Sequence, residues 1–336
     1  MNRRAFVAGL GAALTAPLTA GAQKSAKAAR VGILGAGPTP TQDDLAKSVA
    51  TNPLWLSMRQ LGWVYGQNII VERRFGESAS ELRAGAAELV RLNVDAFFVG
   101  GAGLAKLLQL ETKTIPIVVA AAGGDLVGAG LVDSLARPGS NVTGVQSFSY
   151  DLVPKRLELL KALVPNLSKA AFLQEDVTLS EVPELRAKYD QQAAIAGRYL
   201  GIEIHTFVLH GAGELSAAFS GTVKNLDQGV LVMSTPFIYA HRKEILDLAA
   251  AHRLAAVYEF HLLVEQGGLM SYGVNIPEMS RRGAIYLDKI LRGARPGELP
   301  IEQPTKFELV INRKTAKTLG LTIPQSLLLR ADQVIE

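Results

Sequence analysis

Three glycine-rich loops carry the first chemistry legible in the chain. Val99-Gly100-Gly101-Ala102-Gly103 and Ala121-Ala122-Gly123-Gly124-Asp125 each follow a short apolar run, and Gly35-Ala36-Gly37-Pro38 closes another. Glycine allows close approach to the backbone, and a helix beginning at such a loop presents unpaired N–H groups and the positive end of its dipole. Gly101, Ala102 and Gly103 therefore suit a carboxylate, and serve equally as a plain strand-to-helix turn. Gly37 and Pro38 read as a tight, close-approach loop facing a cleft. A dinucleotide fingerprint fails there: counted from Gly35, the third glycine of G-x-G-x-x-G falls on Pro40, and Pro38 and Pro40 keep a helix from starting at once.

Four later loops add other groups: Gln174-Glu175-Asp176, Ser234-Thr235-Pro236-Phe237, Tyr258-Glu259-Phe260 and Ser271-Tyr272-Gly273. Phe237, Tyr258 and Tyr272 suit a wall for an apolar or aromatic body, or simply pack against their own half of the chain. Thr235 and Glu259 would set polarity, with Glu259 as a partner for an ammonium group. Gly123, Asp125 and Glu175 complete the candidate binding set.

Catalytic patterns are missing. The five histidines, His205, His210, His241, His252 and His261, show neither H-E-x-x-H nor compact ligand spacing. Ser271 has Leu269 rather than glycine two residues before it, so no G-x-S-x-G elbow exists. There is no Walker loop, and the absence of cysteine removes thiol nucleophiles and thiolate metal sites. Glu175, Asp176 and Glu259 are the carboxylates an enzyme of this class would use, but nothing in the sequence sets them face to face. No catalytic residue, metal ligand or cofactor is assigned.

The elements that must position these loops are short strands alternating with amphipathic helices. Strands are expected at Arg30–Leu34, Asn68–Arg73, Ala96–Val99, Ile115–Ala120, Val142–Val145, Ala170–Leu173, Glu203–Val208, Gly229–Met233, Ala255–Tyr258 and Leu269–Tyr272. Near-continuous apolar runs of this length suit strands covered on both faces, as in a parallel sheet. Val153, Leu157, Leu160 and Val164 fall at helical spacing, with Asp151 as expected cap and Pro165 as stop. So do Val182, Leu185, Tyr189, Ala193, Ala196 and Leu200, between Ser180 and Gly201. From about Asp125 to Tyr150 the helical rhythm stops, and further breaks follow Tyr272 and surround Arg295–Pro304. The expectation is α/β architecture in two Rossmann-like lobes with parallel sheets, joined by a three-segment hinge. Residues 30–145 plus about 274–304 would form lobe 1; residues 146–273 plus about 305–336 would form lobe 2.

Ahead of these elements, Arg3 and Arg4, the apolar run from Phe6 to Leu18, and Ala20-Gly21-Ala22 compose a secretory signal over residues 1–22. Its arginine pair fits both an ordinary export signal and a twin-arginine one. Without Arg3 and Arg4 the 35 basic residues become 33 against 31 acidic ones, a net charge of +2. Charges are interspersed, so there is no nucleic-acid footprint. Residues 23–29 read as a leader without structure of its own, followed by a periplasmic, monomeric binder.

Several blocks resemble one family. Leu61-Gly62-Trp63-Val64-Tyr65-Gly66-Gln67-Asn68-Ile69 is the first of them, and Thr114–Val118 followed by Gly130–Gly144 is more distinctive. Gly267–Gly273, Leu299–Asn312, Ala316–Pro324 and Arg330-Ala331-Asp332 extend the match through the later part. The chain is similar to ABC transporter substrate-binding proteins of the tryptophan/tyrosine-uptake-like family. That resemblance implies a type I periplasmic-binding-protein fold with a small-molecule ligand clamped between lobes. It also implies a membrane permease partner served by a separate ATPase. Where family members often carry Gly-Thr-Pro this chain has Gly101-Ala102-Gly103, and where they carry Asp-Pro it has Asp125-Leu126, so one loop loses a hydroxyl. Two other roles stay open: a sensory or regulatory binder presenting its closed form to a receptor, and an exported α/β enzyme.

Overall fold

Short apolar runs with β-branched residues fold as buried strands, and the chain sorts them into two sheets. The computed structural model describes residues 28–147, 149–164 and 166–336. The export signal, most of the leader, and Pro165 as a helix stop lie outside the described residues. In the first lobe β1 (Ala29–Ala36), β2 (Ile69–Gly76), β3 (Ala96–Val99), β4 (Ile117–Gly123) and β5 (Val142–Ser147) pair in the order β2-β1-β3-β4-β5. Every pairing in this sheet is parallel. Its connections carry α1 (Gln42–Thr51), α2 (Pro53–Gln60), α3 (Ala79–Arg91) and α4 (Ala102–Glu111).

The second lobe holds β6 (Lys169–Glu175), β7 (Glu203–Leu209), β8 (Gly229–Val232), β9 (Ala255–Tyr258), β10 (Met270–Gly273), β11 (Glu308–Asn312) and β12 (Gln333–Ile335). Their order is β12-β11-β10-β9-β8-β6-β7. Between them run α5 (Val153–Leu163), α6 (Pro183–Leu200), α7 (Leu215–Lys224), α8 (Pro236–Ala240), α9 (Arg242–Ala251) and α10 (His261–Glu265). Strands β11 and β12 are not expected from the sequence, and β11 runs antiparallel to β10. Prolines 300 and 304 interrupt the approach to β11, and the three-residue β12 is too short to show a period.

After β10 the chain returns to the first sheet as α11 (Ile276–Leu291), then re-enters the second through β11, α12 (Arg313–Leu319) and α13 (Gln325–Leu328). Helix α11 lies against α2, β4 and β5. Gly283 lets it approach: a Cβ there would come within 2.4 Å of the Ala120 Cβ and 2.9 Å of the Phe98 ring. Trp63 Nε1 donates to Asp288 on the same helix at 2.8 Å. Glu302 continues the attachment, bridging to Val145 of β5, while the Thr143 hydroxyl donates to the Leu299 carbonyl at 2.8 Å. The backbone therefore crosses between sheets after β5, after β10 and before β11.

Two expected helix caps are replaced. Asp151 falls inside a 3-10 turn, Ser149–Leu152, and Leu152 caps α5 without a side-chain bond. Proline at position 183 starts α6 because its fixed φ and missing N–H suit a first turn, so Ser180 lies outside the helix. Gly201 ends α6 at φ 65°, a conformation glycine adopts without strain.

On the edge strand β7, His205 directs Nδ1 at Asp227 (2.6 Å) and Nε2 at Glu203 (3.0 Å). The Asp227 hydrogen bond chiefly lifts the imidazole above its ordinary value; burial opposes it and Glu203 adds to it. With the folded value above the unfolded one, the contribution to stability is complete below about pH 6.5 and fades as pH rises through the folded value. His205→Gln is expected to destabilise by about 0.5–1 kcal/mol at pH 5.5 and by less at pH 9 in urea unfolding. Equal losses at both pH values would rule out the imidazolium as the source.

Candidate ligand-binding cleft

The loops at the carboxyl ends of the two sheets meet each other, the edge where open α/β sheets bind ligands. Gly37, just beyond β1 at φ 112°, faces α8, and a Cβ on it would lie 2.3 Å from that of Ala240. A Cβ on Gly100, beyond β3, would lie 3.3 Å from Pro236 Cγ. The tightest approach is at Gly103 in the first turn of α4, where a Cβ would sit 1.7 Å from the Thr178 carbonyl oxygen. The lobes are thus closed on one another. Gly101 caps α4 with no side-chain hydrogen bond, and Gly101, Ala102 and Gly103 are all buried. Pro38 is exposed at the rim, and Gly123 ends β4 paired with Ser147.

The loop that reaches Gly103 is held from within by Glu175. This fully buried carboxylate accepts the Thr178 N–H at 2.8 Å and the Thr178 hydroxyl, with Thr235 and Val177 also favouring its charged form. Burial pushes its carboxyl up against those bonds. Thr235 in turn accepts the Ile238 N–H at 3.2 Å and caps α8. Glu175 and Thr235, expected as ligand contacts, organise the two loops that touch the first lobe.

Glu259 behaves similarly. It is fully buried, and its carboxylate lies 3.5 Å from the guanidinium of Arg156, itself buried in the first turn of α5. Arg156 also donates to the Tyr272 carbonyl (2.8 Å), the Ser149 carbonyl (3.1 Å) and the Ser149 hydroxyl (3.1 Å). One side chain so ties α5, the turn after β5 and the end of β10 together. Burial raises the Glu259 carboxyl, and the Arg156 charge offsets this only in part. The Ser149 hydroxyl, beside the same carboxylate, also lowers it. The charge expected to meet a ligand ammonium already faces a guanidinium.

Among the rings, Phe237 and Tyr258 are fully buried in the second lobe. Phe237 packs on His241 with ring centres 4.6 Å apart, and Tyr258 lies against Gly268. Tyr272 is half-buried and tilted on Phe307 at 6.3 Å, both beside segments that cross between lobes. Asp125 is buried at the end of the β4 loop and ion-pairs with Lys188 of α6, across the interface. Burial raises its carboxyl, but the Lys188 hydrogen bond and charge and the Gly128 N–H more than offset this and hold it low. Two further pairs span the rim, Arg83 with Glu181 and His241 with Glu77 at 3.7 Å.

The structure brings Gly37, Gly103 and Asp125 to the interface and turns Glu175, Thr235, Phe237, Tyr258 and Glu259 inward. Arg156, Thr178, Lys188 and Ala240 are absent from the sequence-based set. Arg156 and Lys188 sit beside apolar helical stripes, where a basic residue gives no sign of which neighbour it serves. Thr178 and Ala240 act through a carbonyl and a methyl, which sequence does not reveal. Among the described residues no cluster of three His, Asp or Glu side chains could hold a metal ion, and no helix is long and apolar enough to cross a membrane.

Two α/β lobes, three crossings and opposed carboxyl-edge loops define a two-lobed ligand-binding protein of the type I periplasmic class. Residues 66–335 match the ABC transporter substrate binding protein family, and the chain belongs to it. A tyrosine-binding protein of Clostridioides difficile is 24% identical over 79% of this chain and 74% of its own length. A conserved domain protein of Vibrio cholerae shares the fold at a TM-score of 0.78, with 24% identity, over 92% of this chain and all of that one. The ABC domain of Streptococcus pneumonia in complex with L-Trp superposes at 0.73, with 25% identity, over 92% of this chain and all of its own. The family is one of substrate-binding proteins rather than enzymes.

Two substitutions test the geometry. Gly103→Ala places a methyl group where the Thr178 carbonyl stands, at a helix position that tolerates alanine well. Its ligand-free melting temperature should match the parent's, while small-angle scattering should report a larger radius of gyration; an unchanged radius would refute the close-approach role. Arg156→Met should destabilise by about 3 kcal/mol, because it strands a buried carboxylate, and adding Glu259→Leu should recover most of that loss. A double variant as unstable as the single one in urea unfolding would count against the ion pair as the cause.

Proposed function

We propose that this protein is the solute-capturing component of an ABC-type uptake transporter, exported to the periplasm by its amino-terminal signal. The lobes close on a small molecule, and the closed form docks on a membrane permease whose ATPase is a separate chain. Family membership supports the role. The observation that carries it is the seam of side-chain-free backbone at Gly37, Gly100 and Gly103, which lets the loops of one lobe seat on those of the other. Closure that depends on contacts from both lobes is the two-state element a captured ligand biases.

For cargo we propose an aromatic amino acid or another small carboxylate. The tyrosine-binding relative and the L-Trp complex support that class. The uncapped start of α4 at Gly101 and Ala102 offers amide groups to a carboxylate, and Tyr272 offers an aromatic face near the crossings. Native mass spectrometry of the purified protein, then thermal shift with L-tyrosine, L-tryptophan and their 3-arylpropionate analogues, tests this. A cognate ligand at a hundred times its Kd stabilises by about 2.7 kcal/mol. No shift with any of the four would sink the aromatic-carboxylate assignment and leave the family untouched.

A further inference from the structure

Among the contacts that span the interface, the Lys188–Asp125 pair differs from the others in burial and in construction. Lys188 belongs to α6 in the second lobe; Asp125 and Gly128 follow β4 in the first. Side-chain exposures are 36% for Lys188 and 11% for Asp125, against 56% and 19% for Arg83 and Glu181; His241 and Glu77, at 9% and 51%, stand farther apart at 3.7 Å. Rim pairs of that kind are screened by salt and contribute little. Around Asp125 the first lobe forms a shaped socket. The Gly128 N–H donates to Oδ1 at 2.8 Å, which leaves Oδ2 for the ammonium, with the Tyr150 hydroxyl 3.5 Å from the same oxygen. A Cβ on Gly128 would lie 2.3 Å from Oδ2 and 2.8 Å from Lys188 Nζ, so glycine leaves the space that the ammonium fills. The Tyr150 ring centre lies 5.3 Å from Nζ, within range of a cation–π contact.

We propose that Lys188 is a positioning residue for closure: its ammonium docks in the Asp125–Gly128–Tyr150 socket and holds the lobes together without any ligand. The inference rests on the closing motion proposed above and adds what sets its equilibrium. A buried carboxylate at 125 tolerates closure only with a cation beside it, because a charge left alone out of water is strongly disfavoured. Lys188 supplies that cation from the opposite lobe. A ligand then shifts an equilibrium in which the closed form is already populated.

The chain has no cysteine, so Leu110→Cys on the first lobe and Tyr199→Cys on the second, both exposed, give a single fluorophore pair. Single-molecule energy transfer is read first without ligand. The labelled parent should show a closed population, and Lys188→Met should lower its closed-to-open ratio about fivefold at unchanged melting temperature. Gly128→Ala, which keeps both charges and fills the socket, should act in the same direction. Asp125→Asn should recover part of the Lys188→Met loss once Lys188 is methionine, because it removes the stranded charge. A Lys188→Met ratio equal to the parent's, or a further loss of closed form on adding Asp125→Asn, overturns the latch. If L-tyrosine and L-tryptophan close the parent while Lys188→Met changes nothing, the latch alone falls. If one distance persists in every variant, with and without those ligands, the closing motion falls with it.

Discussion

A carbonyl oxygen cannot share space with a methyl carbon, and the contact between Thr178 and Gly103 sits at that limit. The neighbouring close approaches share its geometry. If residue 103 carried a side chain, the loop after β6 could not seat on the first turn of α4, and the approaches at Gly100 and Gly37 would be held apart too. Glu175 matters for the same reason, because it fixes the loop that presents the Thr178 carbonyl. A buried carboxylate surrounded by donors from its own loop is a rigid brace, since each bond lost would leave a polar group unpaired away from water.

The molecule assigns its buried charges to shape. Glu175 braces a loop, Glu259 and Arg156 join α5 to the ends of β9 and β10, and Asp125 grips the opposite lobe. Each charge faces a partner the chain itself provides, so the loops are preorganised before any solute arrives. Preorganisation of this kind reduces the ordering that binding would otherwise require.

Strand positions were legible because their apolar runs are near-continuous, and Ala96–Val99 and Ala255–Tyr258 coincide with β3 and β9. Glycine loops were legible as places of close approach, but what approaches was not. The sequence suggests a ligand at Gly103, and the structure puts the other lobe there. Glu175, Thr235 and Glu259 stand at strand ends as a binding set would, yet a strand end has an inward and an outward direction, and sequence spacing does not choose between them. Arg156 and Lys188 were illegible because their partners lie 103 and 63 positions away, at Glu259 and Asp125. Strand β11 pairs with β10 across a whole helix that belongs to the other lobe, a neighbour that sequence order does not reveal.

That excursion of α11 has a consequence for how the protein comes into being. The helix covering β4 and β5 is made only after the first five strands of the second lobe have been made. Until then the sheet of the first lobe carries an open apolar face around Phe98 and Ala120, where Gly283 will later fit. Neither lobe is therefore complete until the last part of the chain is made: the first waits for α11, the second for β11 and β12. Such a chain assembles as one interlocked body rather than as two beads in turn, and its half-made form is the species most prone to adhere to others.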